Sequence, residues 1–261
     1  MLRSLYTAAT GMDAQQTKLD VVAHNLANAS TNGYKKTRTD FQDLLSETIR
    51  SASAPGAGGG GQPAPLQVGL GVKTASTSRS MTQGDLVSTE NPWDLAIEGS
   101  GFFRIQRANG DIAYTRDGAF RVDATGRVVS QAGELVEPGI TIPADATQVN
   151  IKADGTVQVR LSGRTELTDI GAIQLANFTN PAGLESIGGN LLQATAASGE
   201  PILTRAGEQG TGSISQGYLE NANVKAVEEM INMITTQRSY EMNSKVIQSA
   251  DQMLQRLTQL R

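Results

Sequence analysis

The sequence predicts an α+β protein: N- and C-terminal helices forming an α-helical coiled-coil domain, a central antiparallel all-β domain, and extended connectors. Three observations carry this. Apolar residues recur at helical spacing only at the two ends, from Leu2 to Leu26 and from Val227 to Leu260. The segment between is made of short β-branched and aromatic runs punctuated by Gly. Within it, Pro, Gly and small polar residues dominate two stretches that read as connectors.

The first helix should run from about Leu2 to Asn28. Leu2, Leu5, Ala9, Met12, Gln16, Leu19, Ala23 and Leu26 step alternately by three and four, a heptad register with one polar interruption at Gln16. Its stop is Asn28-Ala29-Ser30-Thr31-Asn32-Gly33, small turn formers ending in Gly. Phe41, Leu44, Leu45 and Ile49 have the spacing of a further short helical turn. Ser51 to Pro65 contains Pro55, Pro63, Pro65 and Gly58-Gly59-Gly60-Gly61, and lacks the apolar surface to offset ordering entropy.

From Gln67 onward the pattern is strands and turns. Leu95-Ala96-Ile97, Phe102-Phe103-Arg104-Ile105, Ile112-Ala113-Tyr114 and Phe120-Arg121-Val122 are short β runs, and Asn109-Gly110 and Asp154-Gly155 are hairpin turns. Ser198 to Gly217 reads as a second connector. The last helix opens near Asn221–Asn223 and carries the stripe Val227, Met230, Ile234, Met242, Val246, Ala250, Met253, Leu257 and Leu260. The predicted domains are therefore residues 1–40 with 222–261 as an inner helical domain and 95–195 as an outer β domain. Residues 41–94 and 196–221 connect them, with the Gly/Pro-rich insertion at 51–65.

Composition excludes several function classes. With aromatics at 4%, one Trp and 28 Gly, the chain supports a modest β core and no large enzyme-like interior. Residues 76–217 carry 10 basic and 16 acidic groups, net −6, so a basic footprint for nucleic acid or anionic lipid is absent. No stretch approaches the ~20 apolar residues of a membrane span, so direct membrane insertion is not expected. Thr7, Thr10, Asp13, Gln15 and Gln16 interrupt any secretory leader, which on these facts alone points to the cytoplasm. Without cysteine there is no disulfide and no thiolate metal site.

Catalytic constellations fail individually. His24 is the sole histidine and sits near the first helical seam, which suits packing better than a triad or a metal site. The glycine run 58–61 lacks the Lys-Ser/Thr and the preceding strand of a phosphate loop. Glu228 and Glu229 are adjacent on a helix and point apart. Trp93 is read as the cap of a small core, ahead of a sugar-stacking platform, and Met230, Met233, Met242 and Met253 as packing residues. No catalytic, cofactor or metal site is predicted. The candidate functional surface is the pair of seams: Leu2, Leu5, Met12, Leu19, Leu26, Val227, Met230, Ile234, Met242, Val246, Met253 and Leu257. Neither stripe has a neighbouring helical partner in sequence, so the termini must pair with each other or with other copies.

The ends are also specific as motifs. Leu19-Asp20-Val21-Val22-Ala23-His24-Asn25-Leu26-Ala27-Asn28-Ala29-Ser30-Thr31-Asn32-Gly33-Tyr34-Lys35 resembles the N-terminal signature of the bacterial flagellar rod and hook axial proteins. The segment from Asn223 to Lys245, with Thr236-Gln237-Arg238-Ser239-Tyr240-Glu241 inside it, resembles their C-terminal signature. Leu95-Ala96-Ile97-Glu98-Gly99-Ser100-Gly101-Phe102-Phe103 and Tyr114-Thr115-Arg116-Asp117-Gly118-Ala119-Phe120 are similar to their first β domain. Asn25, Asn28, Gly33, Gln237, Arg238 and Tyr240 are the motif positions, and His24 stands where Asn is more usual. Phe41-Gln42-Asp43-Leu44-Leu45 with the following insertion looks most like the distal-rod members, with proximal rod and hook types as the alternative.

The resemblance implies a structural subunit that is not an enzyme and holds no cofactor, polymerising with itself into a rigid hollow helical tube. Such a tube transmits motor torque to the hook and serves as an export channel. Its implied partners are proximal rod proteins, the hook protein, the surrounding ring proteins and the flagellar export apparatus. Its implied place is the periplasmic rod of the basal body, reached by type III export without a cleaved signal peptide, which replaces the cytoplasmic default. On the residues alone, a secreted coiled-coil adhesin and a cell-wall-binding β module remain open.

Overall fold

The structure, a computed structural model, describes residues 2–52, 64–164 and 166–259. Most of the predicted insertion 51–65, and Leu260, lie outside the described residues. So do the side chains of the predicted seam residues Leu2 and Leu257. Two helices flank a central antiparallel β region: α1 is Leu2–Ala27 and α2 is Ala226–Gln259. The 34-residue α2 opens with Glu228 and Glu229 and closes with Arg256, charges that complement the helix dipole at either end. After α1 the chain turns as its residues dictate. Thr31 N donates to Asn28 O at 3.0 Å, and Gly33 adopts φ 67°. A Cβ on Gly33 would stand 2.6 Å from the backbone carbon of Arg116, so only glycine fits there.

The next strands are β1 (Thr37–Asp43), β2 (Ser46–Arg50), β3 (Leu66–Gly69), β4 (Val72–Arg79) and β5 (Leu86–Ser88). The helical turn expected at Phe41, Leu44, Leu45 and Ile49 is therefore replaced by strand. Four apolar residues over so short a run satisfy helical and extended readings alike, and pairing decides. β1 pairs β4, β2 pairs β3, and Leu44 N donates to Gly71 O at 2.8 Å.

The central region follows as β6 (Leu95–Glu98), β7 (Phe102–Gln106), β8 (Ile112–Thr115), β9 (Arg121–Val122), β10 (Val128–Val129) and β11 (Leu135–Val136). It continues with β12 (Ala146–Ile151), β13 (Thr156–Leu161), β14 (Leu167–Ala172), β15 (Gln174–Asn177), β16 (Glu185–Gly188), β17 (Leu191–Gln193), β18 (Ile202–Arg205), β19 (Ser213–Gln216) and β20 (Tyr218–Glu220). The main sheet runs β16-β17-β8-β7-β11-β10-β9, and β15 joins it on β7. Both expected hairpins form. Asn109-Gly110 turns β7 into β8 with Phe103 opposite Thr115, and Asp154-Gly155 turns β12 into β13 with Val149 opposite Val159. Residues 198–217, expected as a connector, instead contribute two ladders: β18 against β15 and β19 against β6. Their glycines occupy the turns around short strands, with Gly199, Gly207, Gly210 and Gly217 all at positive φ.

Successive side chains of β7 point to opposite faces and seed two cores. Phe103 packs edge-on to Phe120 at 5.1 Å within the larger cluster, while Phe102 meets Phe178, which in turn meets Tyr114 at 4.8 Å. Each such ring, fully buried, contributes about 1.5–3 kcal/mol of transfer free energy. Trp93 packs against the larger cluster, the capping role expected of it. It also lines an open groove of about 720 Å³ with Tyr218 and Glu90.

The chain divides into two compact units. One, the helical unit, comprises residues 1–26, 37–78 and 225–261; the other, the β unit, comprises 27–36 and 79–224.

Candidate assembly surface and the basic–acidic centre of the β unit

Within the helical unit, α2 presents two contrasting faces. The covered face repeats every seven residues as Glu229, Thr236, Asn243 and Ala250, joined by half-buried Met233, Ile247 and Leu254. These residues are mostly polar or small, and Glu229, Thr236 and Ala250 are each 1% exposed. Outside that stripe lie Val227, Met230, Ile231, Ile234, Met242, Val246 and Met253, all between 46% and 70% exposed. Val227, Ile231 and Ile234 stand two positions from Glu229 or Thr236 and so about 200° around the axis, whereas Met230, Met242, Val246 and Met253 flank the covered stripe at about 40–100°. Among the described side chains of the predicted stripe, only Ala250 lies on the covered face.

On α1 the covered residues include Ala8, Ala14, Val22 and Asn25, with Leu5, Met12, Leu19 and Leu26 half-buried. Ala9, Gln16 and Ala23 of the predicted register are exposed, so the covered stripe steps Ala8, Met12, Gln15, Leu19, Val22, Leu26 and avoids Gln16. Two contacts link the helices. Asn25 Nδ2 donates to Glu229 Oε2 at 3.4 Å, and a Cβ at Gly11 would approach Asn243 Nδ2 to 2.9 Å. Asn25 also brackets the start of β1, donating to Thr37 O at 2.8 Å and accepting from Thr37 N at 2.9 Å.

Of the other motif positions, Asn28 and Gly33 shape the turn after α1, with Thr31 Oγ1 3.2 Å from Asn28 Oδ1. Gln237, Arg238 and Tyr240 are exposed on α2. The neighbouring hydroxyls are spent on their own helix: Thr235 bonds Ile231 O, Thr236 bonds Asn232 O and Ser239 bonds Thr235 O, at 2.7–2.9 Å.

The β unit contains a charged centre that no sequence pattern announced. The Glu220 side chain is fully buried and accepts from Lys35 Nζ at 2.5 Å, Gly84 N at 2.8 Å and Arg116 Nη1 at 3.2 Å. Lys35 Nζ also reaches Thr82 O, and Arg116 reaches the carbonyls of Ile97 and Gly99 while lying over the Phe102 ring at 5.5 Å. Burial pushes the pKa of Lys35 below the usual lysine value, against the attraction of Glu220. Burial lowers that of Arg116 in the same way. The three residues stand 104 to 185 positions from Glu220 in sequence, beyond any local signal. The only available cue was a lone acid ending an otherwise neutral strand.

A stripe of large apolar side chains left in water on one face of a terminal helix, on a chain whose buried Glu220 carboxylate is already bonded to its own Lys35, Arg116 and Gly84, is the surface a self-associating structural protein presents. Among the described residues no group of acidic or histidine side chains is placed to hold a metal ion, and no helix is long and apolar enough to cross a membrane. Comparison with known proteins agrees. Residues 5–35 match a family model described as flagella basal body rod protein. Residues 96–159 match the flagellar hook protein FlgE/F/G D1 domain, and residues 215–260 the flagellar basal body rod FlgEFG protein C-terminal. The chain is 48% identical over 260 residues to flagellar basal-body rod protein FlgG of Buchnera aphidicola subsp. Acyrthosiphon pisum, covering all of both chains. It is 49% identical to the protein of that name from Caulobacter vibrioides and 41% to that from Bacillus subtilis, again over 100% of each chain. The chain belongs to the flagellar basal-body rod protein family. It is a structural subunit of the rod and not an enzyme.

Proposed function

We propose that the chain builds the distal rod, polymerising through its terminal helices into a rigid hollow tube that carries motor torque to the hook and passes exported chains. The observation that carries this reading is the exposed stripe Val227, Met230, Ile234, Met242, Val246 and Met253 on α2. A subunit whose terminal helix shows its apolar face to water gains by burying it against further copies, and a head-to-tail contact that does not close yields a helical filament. In the tube, α1 and α2 pair as a coiled coil around the bore, with Gln237 and Arg238 toward the channel. The assignment to the distal rod rests on the end-to-end match to relatives named FlgG and on the resemblance of the 41–65 stretch. Proximal rod proteins and the hook protein would then join its two ends. The acidic 76–217 segment would face the ring proteins, and the export apparatus would deliver the chain to the periplasm without a cleaved signal.

The β2–β3 hairpin supports a stiffening role for the insertion it carries. Among the described residues its strands pair only with each other, Ser46 opposite Gly69 and Thr48 opposite Gln67, and Leu45, Ile49 and Leu66 are exposed. A lone two-stranded hairpin is marginally stable in water, so neighbouring subunits are its natural support. Electron microscopy of concentrated full-length protein should show tubes. Isolated particles at every concentration would reject the polymer. A chain lacking residues 46–65 should give curved polymers, and straight rods from that deletion would reject the stiffening role alone.

A further inference from the structure

The chain passes between its two compact units four times, after Leu26, Lys36, Ser78 and Val224. Inside the β unit, the residues flanking the last three of these passages are bonded to one another and not left as separate linkers. Asn223 does most of this. Its Oδ1 accepts from Lys36 N at 2.6 Å, its Nδ2 donates to Ser80 O at 2.9 Å and Thr82 O at 3.0 Å, and its own N donates to Tyr34 O at 3.3 Å. Ser80 N closes the ring by donating to Lys36 O at 2.9 Å.

A second tier binds the same three segments a few residues further in. Glu220 holds Lys35 and Gly84 through one carboxylate oxygen, and its backbone carbonyl accepts from Gly33 N at 2.7 Å. Its other oxygen is tied to Arg116, whose guanidinium is anchored to the β6 and Gly99 carbonyls and to the Phe102 ring. As a stabiliser this is a poor investment, since a buried ion cluster often contributes no more than apolar residues of the same volume. What it does supply is direction. Charge-assisted bonds of fixed geometry hold residues 33–36, 80–84 and 220–223 in one register, where apolar contacts would allow sliding.

We propose that this two-tier brace, Asn223 over Glu220, is the force-transmitting stem of the subunit. It joins three chain passages into one stiff element, so that torque on the β core is delivered through all of them together. The proposal rests on the tube reading above and adds the residues through which each subunit stays stiff. It predicts that breaking the brace softens the polymer more than it unfolds the monomer.

The test uses full-length Asn223→Ala, which leaves the stripe of α2 and both β cores untouched, and Asn223→Asp, which keeps the acceptor for Lys36 N and loses both donors. Asn223→Ala should form filaments of shorter persistence length than the parent in electron micrographs, with faster amide exchange at Lys36. Asn223→Asp should fall between the two, and Glu220→Gln should soften the filaments further. Asn223→Ala filaments as straight as the parent's would overturn the stem while leaving the polymer intact. Absence of filaments from the parent chain would overturn both readings. If Asn223→Ala is too unstable to polymerise, the straightness of Asn223→Asp filaments decides, with parental straightness again overturning the stem.

Discussion

At the scale of single residues, two aspartates of the β unit have opposite electrostatic environments and should respond oppositely to pH. Asp117 is enclosed. Burial raises its pKa above the ordinary 3.8, with Asp94 adding to the effect, although Ala119 N and Asn190 Nδ2 bond the carboxylate. The folded state therefore binds this proton more readily than the unfolded chain. Its contribution to stability is complete below pH 3.8 and is lost as pH rises through the raised value. Asn in its place should raise the melting temperature at neutral pH, and the gain should vanish in acid. Asp123 is partly exposed at a turn and accepts from Thr125 Oγ1, Thr125 N and Arg127 N at 2.7–2.9 Å, which hold its pKa well below 3.8. Its stabilising effect is present above pH 3.8 and fades below it, so Asp123→Ala should be destabilising at neutral pH and converge on the parent in acid. Thermal melts of both variants across this range check the signs, and parallel curves would refute the assignment. The local turns at Asn109-Gly110 and Asp154-Gly155 were legible in the sequence. The pairing of Lys35 with Glu220 was not, because its members are 185 residues apart and either charge alone resembles a surface residue.

At the scale of elements, both helices were readable from periodicity, but the face each one covers was only partly so. A stripe of Val, Met and Ile on α2 was expected to meet another helix, and a single subunit leaves it exposed because the small and polar face carries the contacts to α1. Sequence cannot separate contacts made within a chain from contacts reserved for other chains when both stripes lie on one helix. The β segments read as helix near Phe41 and as connector near Ile202 share a cause: short runs take their state from a pairing partner distant in sequence. The two faces of α2 make separable predictions. Ile234→Lys should abolish polymerisation while shifting monomer stability by no more than about 0.5 kcal/mol, as expected of an exposed site. Ala250→Leu, at a position 1% exposed, should destabilise the monomer by about 1–3 kcal/mol through overpacking. Denaturant unfolding together with sedimentation distinguishes these outcomes, and a large loss of monomer stability in Ile234→Lys would show that the stripe is already covered.

At the scale of the whole molecule, the two units differ in what holds them together. The β unit encloses Phe103, Phe120, Leu95, Ile97, Ile105 and Leu175, each at most 2% exposed. In the helical unit the buried side chains of α1 and α2 are Ala8, Ala14, Val22, Asn25, Glu229, Thr236 and Ala250, which offer little apolar area. The helices must therefore draw most of their stability from elsewhere, since helical propensity alone seldom holds a segment in water. Hydrogen exchange on the monomer should reflect this division. Amides of β6, β7 and β13 should exchange only through global opening, in the range of about 5–15 kcal/mol typical of domains, while those of α1 and α2 open locally at far lower cost. If the proposed filament covers the exposed Val227, Ile234 and Val246, the helix amides should become as protected there as the core. A monomer protected uniformly through both helices would mean that the stripe of α2 contributes nothing to their order, and assembly would need a different driving surface.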